Sequence, residues 1–257
     1  MARVDHTGDR AVRTAAIAGR RILITRASED ALGWADRLAA LGALPVVLPC
    51  LISVPVDDSG TREVLPTALR DATWLVVSSP RGASMLAQLA ANLPARVRVA
   101  AVGPATARAA AAHLGRVDLV ATSTTSAGLG RELAALIRAE ASGANTFVVI
   151  ASAEGGRDDA ERILTESGSS VTRVNVYRTI PAPPASVKRD LGTEGIDAVL
   201  LASPSAVTGL LNCSRVPPDA RIVTIGATTS AAAEAAGLRV AAEARRPNLD
   251  SMIEVIT

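Results

Sequence analysis

Three segments from the first half of this chain return, in the same order, in the second half. RILITRASEDALGWADRLAALGA (21–43) matches FVVIASAEGGRDDAERILTESGS (147–169). WLVVSSPRGASML (74–86) matches AVLLASPSAVTGL (198–210). VRVAAVGPATARAAAAHLG (97–115) matches RIVTIGATTSAAAEAAGLR (221–239). Pro80 and Pro204 stand 124 residues apart, and Gly103 and Gly226 stand 123 apart. Ordinary strand–helix periodicity yields one such match but not three in register. The chain therefore reads as a duplication of a unit of roughly 125 residues, and whatever it folds into must contain two similar lobes.

The repeated pieces are strands followed by helices. RILIT, WLVVSS, VRVAAVG, TFVVIAS, DAVLLAS and RIVTIG are short apolar runs that end in small polar residues. Runs with no polar alternation suit strands covered on both faces, as in a parallel sheet. Each is followed by an Ala-rich or amphipathic stretch: 29–41, 83–91, 105–114, 158–167, 206–211 and 229–236. Gly42, Gly115, Gly168 and Gly237 stand where helices end in a left-handed residue. The rhythm is that of an open α/β fold with parallel sheets flanked by helices. Two Pro-bracketed extended segments, PVVLPCLISVPV (45–56) and VTRVNVYRTIPAPP (171–184), each follow the strand–helix pair that opens a repeat. The chain crosses twice between lobes through them, or else the lobes are consecutive halves, 20–135 and 145–257. Spacing alone leaves both readings open.

Composition narrows the chemistry. Of 257 residues, 27 are basic and 25 acidic, a net charge of +2, which gives no electrostatic footprint for nucleic acid. Two histidines, His6 and His113, are too few for a histidine-built metal site, and they make a Ser-His-Asp triad improbable. Cys50 and Cys213 form neither a disulfide framework nor a zinc spacing and read as small hydrophobes in a reducing compartment. No apolar run is long enough for a membrane span, and the start has no secretory pattern. The expectation is a cytoplasmic protein with a flexible tail over residues 1–19. The paired acids Asp57-Asp58 and Asp158-Asp159 read as solvated or helix-start groups. Trp34 and Trp74 read as core.

The carboxyl ends of the strands are where ligands bind in such sheets. They carry Ser78-Ser79-Pro80-Arg81, Gly103-Pro104-Ala105-Thr106, Ser152 to Arg157, Ser203-Pro204-Ser205 and Gly226-Ala227-Thr228-Thr229. Ser and Thr there are good N-caps and Pro a good first helical residue, so any one of them is accounted for by capping. Together with Arg26, Arg81 and Arg157 they make surfaces suited to anions. No phosphate loop of the G-x-x-x-x-G-K-[ST] kind follows a strand, nor a full G-x-G-x-x-G. A phosphorelay receiver needs an Asp at a strand end and a later Lys, yet Lys188 is the only lysine and the strand ends carry Ser, Thr and Gly. Tyr177, the only tyrosine, lies in the second crossing segment, either packed on a strand or placed to donate a proton.

Across residues 20–257, RILITR, WLVVSSPRGA, AVGPATA, VYRT, AVLLASPSAV and IGATTSAAAEAAGL occur in an order and spacing that resembles the uroporphyrinogen-III synthase family. Ala227 stands where that family often has proline. The resemblance implies two flavodoxin-like domains joined by a two-stranded linker, with an interdomain cleft. One domain would comprise 20–46 and 181–257 and the other 56–171, with 47–55 and 172–180 as linkers. It implies closure of hydroxymethylbilane, a linear tetrapyrrole with eight carboxylates, to uroporphyrinogen III with inversion of ring D and loss of water. No metal or organic cofactor, nucleic acid or membrane would be involved, and the chain would act as a monomer. Tyr177 matches the family's candidate proton donor. Arg26, Ser79, Arg81, Gly103, Thr106, Arg157, Ser203, Ser205, Thr228 and Thr229 are the expected substrate-binding residues. A non-catalytic relative that binds a tetrapyrrole or another polycarboxylate is the alternative.

Overall fold

The computed structural model describes residues 17–90, 92–140 and 145–256. Residues 1–16 of the expected tail, with His6, lie outside the described residues. The tail does not extend to residue 19. Ile17 is fully buried among Ile22, Ile24 and Leu38, and the Gly19 amide donates to the Gly42 carbonyl at 2.8 Å. An isoleucine removed from water in this way holds the chain in place from residue 17 onward.

The chain divides into two compact units. One runs to Ile52 and resumes at Ile180; the other is Ser53–Thr179. They are not consecutive halves. The first unit contains β1 (Arg21–Ile24), α1 (Ser28–Ala39) and β2 (Leu44–Val47), and its sheet is completed by strands from the far end of the chain. β3 (Leu51–Pro55) leads into the second unit, which contains α2 (Ser59–Asp71), β4 (Trp74–Val77), α3 (Pro80–Leu89), β5 (Arg98–Ala101), α4 (Gly103–Leu114), β6 (Leu119–Val120), α5 (Ser126–Glu140), β7 (Phe147–Ala153) and α6 (Asp159–Glu166). β8 (Ser170–Pro181) leads back. The first unit then continues with β9 (Arg189–Asp190), β10 (Ala198–Leu201), α7 (Pro204–Cys213), β11 (Ser214–Arg215), β12 (Ile222–Thr224), α8 (Ala227–Ala235), β13 (Val240–Glu243) and α9 (Leu249–Glu254).

The first unit's main sheet has the order β13-β12-β10-β1-β2; the second's has β3-β8-β7-β4-β5-β6. Every ladder between β1, β2, β10, β12 and β13, and between β4, β5, β6, β7 and β8, is parallel. β3 runs antiparallel to β8: Cys50 meets Ala182, Ser53 meets Thr179 and Val56 meets Val176. β8 is a sheet strand from its start, since Ser170 to Tyr177 are in register with β7.

The continuous apolar strands explain why helices must cover both faces. In β1, Ile22 and Ile24 point into one core cluster and Leu23 into another; in β4, Leu75 and Val77 point one way and Trp74 and Val76 the other. Alternating side chains of a strand thus supply two cores, each buried large residue contributing about 1.5–3 kcal/mol. Helices end where glycine permits it: Gly42, Gly115, Gly168 and Gly237 have φ of 81°, 80°, 93° and 80°. Helices α3, α4 and α7 begin two or three residues earlier than apolar periodicity indicates, because Ser79-Pro80, Gly103-Pro104 and Ser203-Pro204 already form their first turns. Helix α2 contains Pro66 in its interior, and Asp58 caps it by accepting from the Thr61 amide at 2.7 Å.

Candidate functional site

In the second unit, the strand ends bring three of the expected residues together. Ser79 follows β4 with extended backbone, φ −154° and ψ 154°, and its Oγ accepts from the Gly82 amide at 3.0 Å. Pro80 opens the helix. The same Oγ lies 3.3 Å from the Tyr177 hydroxyl, and either can be the donor. The Arg81 guanidinium stands 5.6 Å from the Tyr177 ring centroid, in cation–π range.

A bulge aims Tyr177 at this point. The β7–β8 register shifts between Ser152 and Ala153, so that Ala153 faces Tyr177. One extra residue turns the strand's alternation, and both Val176 and Tyr177 enter the core above β4. Tyr177 is 8% exposed, and its backbone carbonyl accepts from the Glu154 amide at 2.8 Å. The phenol is therefore held at both ends, by Ser79 and by the turn after β7.

The other expected residues of this unit are spread along the same sheet end. Gly103 has φ of 69°, a left-handed conformation natural to glycine, at the junction of β5 and α4. Thr106, one turn later, is only 3% exposed, so its side chain belongs to the packing of the first helical turn. Arg157 is exposed on the loop between β7 and α6.

In the first unit, Arg26 follows β1, stacks over Trp34 at 4.8 Å and lies 3.9 Å from Asp30. Its Nε is buried with no hydrogen-bond partner among the described residues. Ser203 caps α7 as Ser79 caps α3, accepting from the Ala206 amide at 3.2 Å, and its Oγ is 3.1 Å from that of Ser205. Thr228 is exposed at the start of α8, whereas Thr229 is 1% exposed. Helix α8 starts at Ala227 after Gly226 without a side-chain cap. Thr106 and Thr229, equivalent in the repeat, are both interior. That burial separates them from the accessible hydroxyl and guanidinium groups around them.

Sequence reasoning passed over Arg173, the one charged side chain in β8 that turns inward on its own sheet end, bonding Ser152 at 2.9 Å and the Gly156 carbonyl at 2.6 Å. A charged residue flanked by the alternating valines of VTRVNV was the available signal. Among the described residues, no three His, Cys, Asp or Glu side chains gather closely enough to hold a metal ion. The hydroxyls, amides and guanidinium forks at these strand ends are chemically suited to carboxylates.

The family model described as uroporphyrinogen-III synthase HemD matches residues 33–254. A porphyrin biosynthesis protein HemD of Ruminiclostridium josui is 30% identical over 246 residues, covering 92% of this chain and 48% of that protein. The chain thus spans about half the length of that relative. The chloroplastic uroporphyrinogen-III synthase of Oryza sativa subsp. japonica is 30% identical over 220 residues, covering 81% of this chain and 70% of that one. Among solved structures, a mutant uroporphyrinogen III synthase from the extremely thermophilic bacterium Thermus thermophilus overlays with a TM-score of 0.48 at 17% identity, covering 92% of this chain and 96% of that one. With its family model matched over most of its length, the chain belongs to the uroporphyrinogen-III synthase family.

Proposed function

We propose that this chain closes hydroxymethylbilane to uroporphyrinogen III, with inversion of ring D and loss of water. The two units are read as flavodoxin-like domains linked by the β3–β8 ladder, and the chain as a cytoplasmic monomer. Among the described residues no helix is long and apolar enough to cross a membrane. Family membership supports the reaction class. The observation that carries the reading is the phenol of Tyr177, held 3.3 Å from Ser79 Oγ beside the Arg81 guanidinium.

In the proposed mechanism, Tyr177 donates its proton to the hydroxymethyl oxygen of the substrate. The C–O bond breaks, its electron pair leaves with oxygen as water, and the adjoining pyrrole nitrogen supplies electrons to form an azafulvenium cation. The substituted carbon of ring D attacks that cation, giving a spiro intermediate that fragments and recloses with ring D inverted. A proton lost from carbon as the last ring regains aromaticity returns to the phenolate, so one water leaves and no net proton is consumed. A phenol O–H within hydrogen-bond reach of the leaving oxygen can serve as its general acid.

Most of the task is conformational, because the substrate also closes unaided to the uninverted isomer. Holding the chain folded is a matter of proximity and orientation. Carboxylates are the handles, and each charge-assisted hydrogen bond contributes roughly 1.5–3 kcal/mol. Arg81, Arg157 and the Gly103 turn in the second unit, and Arg26, Ser203, Ser205 and Thr228 in the first, are the proposed contacts. Ser79 is placed with Tyr177, and Thr106 and Thr229 are assigned to shaping their helix starts. Neither metal nor organic cofactor enters this mechanism.

The test is a coupled assay in which hydroxymethylbilane is generated in place and the oxidised products are separated by isomer. Mostly isomer III, against isomer I in the protein-free control, is the expected result. Isomer I alone from the folded protein would overturn the reading and leave a non-catalytic tetrapyrrole-binding relative.

A further inference from the structure

The repeat makes the loop after β7 conspicuous. In the first unit, helix α1 begins at Ser28, four residues after β1 ends at Ile24. In the second, α6 begins only at Asp159, six residues after β7 ends at Ala153, and has eight residues against the twelve of α1. Glu154, Gly155, Gly156 and Arg157 occupy the place of the missing helical turn. Giving up helix there sacrifices backbone hydrogen bonds, so something else must hold the segment.

Arg173 holds it. The Gly156 amide donates to the Ala153 carbonyl at 3.0 Å, and Gly155 has φ of 68°, which closes a tight turn over residues 153–156. Arg173 Nε donates to Ser152 Oγ at 2.9 Å, and Nη2 donates to the Gly156 carbonyl at 2.6 Å and reaches the Ala153 carbonyl at 3.5 Å. Nη1 lies 3.7 Å from Glu161 in α6. Ser152 Oγ in turn donates to Asn175 Oδ1 at 3.2 Å. A Cβ on Gly156 would sit 3.0 Å from the Ala153 carbonyl and 3.1 Å from Arg173 Nη2, so glycine is what admits this close approach. The far side of the turn is tied to the proposed proton donor by the Glu154 amide on the Tyr177 carbonyl. At the equivalent place in the first unit, 126 residues earlier, stands Val47, with no fork to offer.

We infer that Arg173 is a positioning residue: its guanidinium clamps the 153–156 turn so that Arg157 is presented to a substrate carboxylate in a fixed relation to Tyr177. The inference rests on the proposed function for the identity of that carboxylate, and it deepens it by assigning a second, indirect role to an arginine that does not itself bind. A planar fork that bonds two loop carbonyls and a hydroxyl fixes a turn in a way an ammonium does not.

The experiment compares the full-length chain with Arg173→Gln, Arg157→Ala and the double variant, using hydroxymethylbilane turnover and amide hydrogen exchange at Glu154 and Gly156. Arg173→Gln is expected to raise KM several-fold with kcat within about twofold, since the charge-assisted contact made by Arg157 is misplaced and not abolished. In the Arg157→Ala background the same substitution is expected to change KM little, because the residue through which it acts is gone. Exchange at Glu154 and Gly156 is expected to rise at least tenfold in Arg173→Gln. Arg173→Lys keeps the charge and the stem, and serves if Arg173→Gln does not fold; its KM is expected to lie nearer Arg173→Gln than wild type. KM effects that simply multiply in the double variant, or unchanged exchange, would overturn the inference. If the wild-type chain makes no isomer III, the proposed function fails by itself, and exchange at the two amides still decides whether Arg173 holds the turn.

Discussion

The two units hold equivalent strands in the same spatial order, yet neither is made from one half of the duplication. β13, β12, β10, β1 and β2 of the first correspond by the repeat to β6, β5, β4, β7 and β8 of the second. The first unit takes its opening strand–helix–strand from the first repeat and the remainder from the second; the second unit does the reverse. β3 and β8 carry that exchange. The lesson is that the copies were free to diverge at matching positions while the shared frame persisted. Tyr177 matches Leu51, Arg173 matches Val47, Gly209 matches Met85, and the turn at residues 154–157 replaces a helix start. Ser79 and Ser203 kept their capping role, but only Ser79 meets a phenol. On this reading the second unit acquired the proton donor and the first kept the plainer, anion-binding version of the same strand ends.

The sharpest way to break the comparison is at Gly209. A Cβ there would run into the Cys50 carbonyl, where the chain leaving β2 passes tightly over α7, whereas the matching position in the second unit accepts Met85. Gly209→Ala is expected to cost about 3 kcal/mol, at the upper end of ordinary overpacking, and to lower the melting temperature by roughly 10 °C. A melting temperature unchanged in calorimetry would mean that the crossing segment yields easily.

A subtler contrast uses the two caps. Ser79→Ala and Ser203→Ala are each expected to lose about 1 kcal/mol of stability in denaturant titration. Ser79→Ala is expected to slow isomer III formation by about a further fivefold, the equivalent of one hydrogen bond to the phenol, and to exceed Ser203→Ala in that respect. Equal effects on rate would remove the distinction drawn between the units.

A further contrast lies in pH dependence, which divides between the units. Burial pushes the Cys50 thiol in the first unit up to about 12 from 9.0. The unfolded chain loses that proton first, so stability is intact below pH 9 and falls by up to about 1.4 kcal/mol per pH unit from there toward 12. Cys50→Ala should flatten this alkaline arm. In the second unit, the bond to Arg62 holds Asp57 below its ordinary range, the Thr61 amide does so for Asp58, the Thr122 and Ser123 amides for Glu132, and Arg98 for Glu140. In the first unit only Glu194, bonded to Arg189, is held low among the described carboxyls. Depressed carboxyls contribute stability above their unfolded pKa and lose it as pH falls through the folded one. Hydrogen exchange should therefore rise in β4–β7 before β1, β10 and β12 as the pH drops below about 4.

Much of this architecture was legible in the residues. Unbroken apolar runs such as WLVV and AVLL announce strands covered on both faces, and the four helix-ending glycines have the backbone that their position required. Helices α2 and α5 were harder to read. Pro66 argues locally against a helix over residues 59–71, and the polar TSTTS run at 122–126 obscures the start of α5; the packing of Leu65, Leu69, Leu129 and Leu133 overrides both. Tyr177 and Ser79 are single residues 98 positions apart, and only the β8 bulge brings them together. A bulge leaves no periodic trace in a sequence. The interior placement of Thr106 and Thr229 was equally invisible, because a first-turn threonine that packs inward and one that faces a ligand have the same spacing.

The most direct test of the account is the isomer composition produced from hydroxymethylbilane by wild type and by Tyr177→Phe at equal concentrations of folded protein. The expected result is predominantly isomer III from wild type and a rate about a hundredfold lower from Tyr177→Phe, the scale of a lost general acid, with isomer I from the unassisted reaction taking over. Equal isomer III from the two proteins would contradict the assignment of the proton donor and, with it, the division of labour between the two units.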